Sequence, residues 1–397
     1  MHSHIPARIL EKELPALLLA LLPLVGVLAA PALAPLVFSL AAAQFLYRAL
    51  IERRAPRLDR SFLALALLFA FLSLASAAWS IVPARSLAGA FQITGIFAGA
   101  LIFLGQPALP QKTGRRVMRA MALAYVAAAL ILAFDWSAGF PIEGFLSGDA
   151  PNAAAKYNRG VAYAVLFAWP VAGLLWRERA WRTLLPLLFA LLAALLITLS
   201  LTAKLAALAA LAAFAAAAAA PRVTGAVLAG GSALFAAFAP FLLRLVSSYR
   251  DLLAPYVKHS GVVRLEIWNY MTARVFQRPF LGWGFWSAAF LPISRRELES
   301  AGWSHAPGFY PHDQWLQIWV ETGVFGAFLA LVCTLLALKR ARGLSLSLRP
   351  FAYASFAAAM TISLADFDLA TDSWWAALAV CAYLFKIASA AESNSRL

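Results

Sequence analysis

The chain has 397 residues, 63% of them hydrophobic and only 13% charged, with a formal net charge of +15. A soluble domain of this length cannot carry so little charge and stay dispersed. Apolar runs of roughly 17–22 residues recur along it, the length that crosses a hydrocarbon core. Lipid offers no partner to backbone polar groups, so each such run must be a helix. The expected fold is an all-α polytopic membrane protein.

In chain order, twelve spans are predicted near residues 14–31, 33–50, 61–79, 87–104, 117–134, 160–176, 183–200, 204–220, 223–245, 313–338, 351–369 and 374–390. The first ends in Ala-Pro-Ala-Leu-Ala-Pro, which has the look of a cleavage site. Glu11 and Glu13 precede the apolar run, however, and Pro35 would directly follow the cut, so this segment reads as a retained helix. The alanine-rich run 205–220 reads as a densely packed span, because small side chains let helices approach closely. Cys333 and Cys381 both fall within spans and read as packing residues. The chain is read as a single integral membrane domain over 1–397.

Charge orients the spans. Alternate loops carry Arg48, Arg53, Arg54, Arg57 and Arg60, then Lys112, Arg115, Arg116 and Arg119, then Arg177, Arg179 and Arg182, then Lys339, Arg340 and Arg342. By the positive-inside rule these loops are cytoplasmic. Both termini are then cytoplasmic and the long 246–312 loop lies outside, as an even span count requires. The net charge therefore needs no nucleic-acid partner; it is mostly topology signal facing anionic lipid. The exception is the outer loop, with Arg250, Lys258, Arg264, Arg274, Arg278, Arg295 and Arg296.

Within that loop, Leu265, Trp268, Thr272, Val275 and Phe276 recur at helical spacing, with Arg264 and Glu266 off the stripe. The pattern predicts an amphipathic helix over 262–276 at the membrane–water interface. Arg278-Pro279 ends it, and Gly282 and Gly284 flank Trp283 in a tight turn. His312 opens the next span, and Gln317 and Glu321 follow four residues apart on one helical face. Gly323 and Gly326 are spaced for close helix packing. Trp283, Trp286, Trp303 and Trp315 suit sugar stacking and equally an interfacial aromatic belt, the belt being favoured.

The order Arg264…Trp268, Pro279-Phe280-Leu281-Gly282-Trp283-Gly284, then Pro311-His312-Asp313…Leu316-Gln317…Glu321-Thr322-Gly323…Gly326 resembles the O-antigen ligase and O-antigen polymerase superfamily over roughly residues 260–330. The resemblance implies a GT-C-like, inverting, metal-independent glycosyltransferase with no cofactor. Its active site would face the periplasm from the bacterial inner membrane. It would move a glycan from an undecaprenyl-diphosphate carrier to an acceptor hydroxyl, on lipid A-core or a similar molecule. Under it, Arg264 matches the arginine that binds diphosphate and His312 the histidine that acts as base or positions the acceptor. Asp313 stands where the family usually has Asn, and Lys204, after Thr198-Leu199-Ser200-Leu201-Thr202, stands where it has a second arginine.

That chemistry suits these residue types. Guanidinium holds diphosphate oxygens bidentately at any relevant pH, and an imidazole near neutral pH can take a hydroxyl proton. Lys204 pairs a phosphate as a point charge or snorkels to the interface. Lys156 and Arg159, where the 135–158 loop meets a span, are read as carrier-phosphate contacts or interfacial anchors. Arg278, Gln317 and Glu321 complete the expected substrate-binding set, with a structural role for Glu321, bracing a cation, kept open. Asp366, Asp368 and Asp372 cluster at the outer end of the eleventh span, where salt bridges to the loop arginines are the favoured reading. A polymerase using the same donor is the runner-up. A twelve-span transporter stands third, because no internal repeat is evident and the polar residues gather at one face rather than at the midplane.

Overall fold

A computed structural model describes residues 13–54, 57–148, 152–256, 259–301 and 310–393. Lys258 and Trp303 of the expected outer loop lie outside the described residues. The protein is 82% helical, without strands among the described residues. Among the described residues sixteen α-helices follow in order: α1 Leu14–Leu28, α2 Leu33–Leu46, α3 Arg60–Ala75, α4 Pro83–Gly105, α5 Gln111–Ser137, α6 Pro141–Ser147, α7 Ala153–Arg177 and α8 Trp181–Ile197, then α9 Leu201–Ala219, α10 Pro221–Ser248, α11 Arg250–Leu253, α12 His259–Gln277, α13 Arg295–Ala301, α14 Gln314–Arg342, α15 Arg349–Ser363 and α16 Asp372–Ser393.

Each predicted span overlaps one helix. Among the described residues, nine helical segments are long and apolar enough to cross a bilayer; α1 and α8 are shorter apolar helices. The chain is an all-α polytopic membrane protein. The eleventh span is the main departure from expectation. Helix α15 stops at Ser363 rather than 369, so Asp366 and Asp368 lie on a loop between α15 and α16.

In lipid, apolar burial does not drive helices together, so close packing must. The alanine-rich helix α9 shows how. Ala203, Ala206, Ala210, Ala213 and Ala217 form a buried seam against α15, where Ala354 and Ala358 are themselves fully buried. Helix α7 is the centre of the bundle, with an unbroken run from Gly160 to Ala168 buried on every side. Gly160 permits this, since a Cβ there would stand 2.6 Å from the backbone of Gly26 and Val27.

The arginine-rich turns gather at one end. Arg340 pairs with Asp59, and Arg115 and Arg119 share Glu178, at 2.7 and 3.0 Å. Helix α15 starts near these turns and ends at the Asp366 loop. The two sets of loops therefore occupy opposite ends of the bundle.

Helix α12 corrects the expected single stripe. Leu265 and Val275 are buried, but so are Ile267, Tyr270, Met271 and Arg274, because the helix is packed between α10 and α14. The buried Arg274 is satisfied by the Pro292 carbonyl and by both Glu297 oxygens, at 2.8 and 2.9 Å. Trp283 and Trp315 are core residues, 8% and 4% exposed, rather than members of an interfacial belt.

Helix α14 is broken at Gly323, which holds φ 63° and ψ −156°. The carbonyls of Val320 and Glu321 at the break accept from the amides of Trp283 and Gly284, at 2.8 and 3.0 Å. Val324 beyond it donates to the Pro279 carbonyl at 2.9 Å. The two motif segments, 279–284 and 320–324, thus complete each other's backbone hydrogen bonding, as buried polar backbone requires. Gly323 serves this junction, and not only the helix packing its spacing predicts.

Candidate functional site

The site grows from the first turn of α14. Asp313 caps the helix, its side chain accepting from the Leu316 amide at 2.8 Å. Burial pushes its carboxyl up to about 7, against the lowering effect of the helix amides. His312 precedes it in the left-handed region, φ 52°, a conformation that His, Asn and Asp adopt more readily than most residues. Its Nδ1 lies 3.3 Å from the Asp366 carbonyl oxygen. A carbonyl only accepts, so Nδ1 is the donor in this contact and Nε2 is the ring nitrogen left for a substrate.

Three side chains of one segment hold the 364–371 loop. Besides His312, Gln314 donates to the Asp368 carbonyl at 3.2 Å, and Gln317 accepts from the Leu369 amide at 2.9 Å. Gln317 also donates to Glu321 at 3.1 Å, while Glu321 accepts from the Trp286 amide at 2.9 Å. Gln317 and Glu321 are 1% and 0% exposed. Their polar atoms join the 366–369 loop to the 284–288 turn across α14.

The other expected residues arrive on different helices. Trp268, one turn after Arg264 on α12, donates its indole N–H to the Pro311 carbonyl at 2.9 Å, fixing the Arg264 face beside His312. Arg159 projects from the first turns of α7, exposed, one turn before Tyr163. Tyr163 shares a hydrogen bond with Ser373 at 2.8 Å and stacks on Phe367, which stacks in turn on Trp374. Lys204 sits in the first turn of α9, half-buried, where Ser200 caps the helix. Thr202 on that turn reaches the Ala365 carbonyl at 3.5 Å.

Asp366 is where these elements meet. Burial raises its carboxyl above the ordinary carboxylate range, opposed by Arg264, Arg159 and His312, all close enough to pull it down. The structure thus brings Arg264, Arg159 and His312 around one half-buried acid, with the Lys204 turn alongside. Among the described residues none of the three makes an ion pair within 4 Å, so the expected salt bridge is replaced by a looser cluster. Asp368 and Asp372 turn their carboxylates to Thr371 and Ser373.

Two expected contacts are engaged elsewhere. Lys156 lies 3.8 Å from Glu143 at the mouth of α7. There Asp135, fully buried, accepts from Ile142, Glu143 and Tyr157. Arg278 lies over the Trp283 ring at 4.1 Å, with its Nη1 at 3.5 Å from the Trp79 carbonyl. Sequence reasoning missed the organising role of the 364–371 loop and of Gln314. Its one sequence signal is three acids near a span end, two of which, Asp366 and Asp368, lie beyond the helix rather than within the expected span.

The O-antigen ligase family matches residues 152–331. That segment contains Arg159, Lys204, Arg264, His312, Gln317 and Glu321, whereas Asp366 lies beyond it. A protein of Rickettsia felis named "Putative polysaccharide ligase" is 28% identical over 154 residues, 37% of this chain and 36% of that one. A similarly named protein of Rickettsia typhi is 29% identical over 121 residues, 30% of each chain. The chain spans about a third of the length of the curated relatives it matches.

Proposed function

Because residues 152–331 of this chain match the O-antigen ligase family, we propose that the protein is a glycosyltransferase of ligase type. It moves a glycan from an undecaprenyl-diphosphate carrier to an acceptor hydroxyl, on lipid A-core or a comparable molecule. The observation that carries this reading is the convergence of Arg159, Arg264 and His312 on the Asp366 loop, at the end of the bundle opposite the arginine-rich turns. With those turns cytoplasmic, the site opens to the periplasm of a bacterial inner membrane.

The chemistry follows from the parts. The two guanidiniums bind the donor diphosphate, and Lys204 adds a point charge from the first turn of α9. Helices α7, α9 and α14 all begin at this end, and their N-termini favour an anion there. His312 Nε2 takes the acceptor proton as the acceptor oxygen attacks the anomeric carbon. The bond from that carbon to the phosphate oxygen breaks on the opposite face, with inversion. The lipid diphosphate leaves carrying the electron pair, and Arg264 and Arg159 stabilise it. Gln317 and Glu321 act as positioning residues that fix the Asp366 loop and the Trp286 turn relative to His312.

The test is in vitro transfer by purified protein from an undecaprenyl-diphosphate glycan, with and without lipid A-core. Product on lipid A-core is expected, and Arg264→Ala should lower its rate by at least about 100-fold at unchanged expression and folding. Lengthened carrier-linked glycan instead would make the enzyme a polymerase. Full activity of the Arg264→Ala protein would overturn the site.

A further inference from the structure

The loop that carries Asp366 is clamped on both sides. Thr202 holds the Ala365 carbonyl at 3.5 Å. Phe367 stacks on both Tyr163 and Trp374, with ring centroids 5.2 and 5.1 Å away. Gln314 and Gln317 hold Asp368 and Leu369 at 3.2 and 2.9 Å. Asp366 itself accepts His312 Nδ1 at its carbonyl. The backbone on both sides of Asp366 is thus held in place, with its carboxyl close enough to Arg264 of α12, Arg159 of α7 and His312 to feel their charges. Nearby are the Tyr163 hydroxyl, engaged with Ser373, the Asp372 carboxylate, engaged with the Ser373 amide, and Lys204 of α9.

An acid held near these cations competes with any ligand anion for them. Two like charges sharing one set of cations cannot both stay ionised at short range. The clamps on 365 and 367–369 keep the loop, and with it the acid, beside the cations. Protonation relieves the competition.

We propose that Asp366 is a built-in counter-anion of the empty donor site, and that binding of the donor diphosphate drives uptake of one proton from water by its carboxylate. This rests on the donor reading given above. The balance is a carboxylate and a proton giving a neutral acid, with no other bond made or broken. Burial already favours the neutral form, and Arg264, Arg159 and His312 oppose it. A bound diphosphate engages those cations and adds repulsion, so the carboxyl pKa rises further on binding. Donor affinity then falls by up to about tenfold per pH unit between the free-site and bound-site pKa values, and is flat on either side.

Calorimetric titration of the full chain in nanodiscs tests this, with a short-chain prenyl diphosphosugar as probe. Its diphosphate is esterified at both ends and has no titratable proton in the neutral range. Runs in two buffers of different ionisation enthalpy report protons taken up per probe bound. The wild type is expected to take up close to one proton within the window. Asp366→Asn should bind without uptake and with an affinity that does not vary with pH. Asp366→Glu and His312→Asn should keep the uptake, which assigns the proton to the acid rather than the imidazole. Binding by the wild type without uptake, or uptake that survives in Asp366→Asn, overturns the proposal. A wild type that does not bind the probe at all overturns the donor reading instead.

Discussion

Replacing Gly323 by alanine puts a number on the break in α14. Its φ 63° and ψ −156° fall in a region that residues with a Cβ occupy at a cost of order 1–3 kcal/mol. A Cβ there would stand 2.1 Å from the Phe280 carbonyl oxygen and 2.4 Å from its carbon. Those are backbone atoms, with no rotamer to turn aside. Relief requires lifting the 279–284 segment from α14 and loosening its hydrogen bonds to Val320, Glu321 and Val324, each worth about 1 kcal/mol net. The total is roughly 4–6 kcal/mol. Gly95 on α4 is the control, because a Cβ there meets nothing within 4 Å. Gly95→Ala should be neutral or stabilising by about 0.5–1 kcal/mol. The assay is thermal unfolding in detergent followed by size exclusion, with transfer measured on the surviving fraction. Gly323→Ala should melt several degrees lower and transfer poorly, since Glu321 and Trp286 depend on the same junction. If Gly323→Ala melts with the wild type and Gly95→Ala, the junction does not hold the site and the reasoning is refuted.

Further outcomes can be checked alongside. His312→Asn keeps a residue suited to the left-handed conformation at φ 52° while removing the imidazole. Transfer should drop by about 10²–10⁴-fold with little change in melting, and near-normal turnover would exclude His312 as the base. Trp268→Phe keeps the ring but loses the 2.9 Å bond to Pro311. About 1 kcal/mol of stability should go, with a larger loss of transfer than of expression. Asp313 has a folded-state pKa raised to about 7, so its ionised form is penalised in the fold. Its contribution to stability therefore declines as pH rises from the unfolded value, about 4, through about 7. Asp313→Asn keeps the cap on Leu316 and should flatten that decline in pH-dependent melting curves.

Much of the chain was legible as a string because lipid leaves it few choices. Helix is the only structure that satisfies backbone groups within a single apolar segment, so the span positions followed from composition and length. The alanine seam of α9 followed from residue size. The motif around Arg264, Gly282, His312 and Gly323 was visible because its members lie close together in sequence and break the apolar pattern. What the string did not carry was the pairing of distant segments. Arg159 and Asp366 meet across more than 200 residues because Tyr163, Phe367 and Trp374 stack, and no local pattern encodes a stack between helices. Only the folded chain turned Gln317 and Glu321 inward as a brace, since a four-residue spacing fixes a shared face without saying what that face meets. Sequence alone determined the helices and the chemical groups available. Tertiary structure decided which of those groups share one volume, because side-chain contacts between helices are set by packing and not by order along the chain.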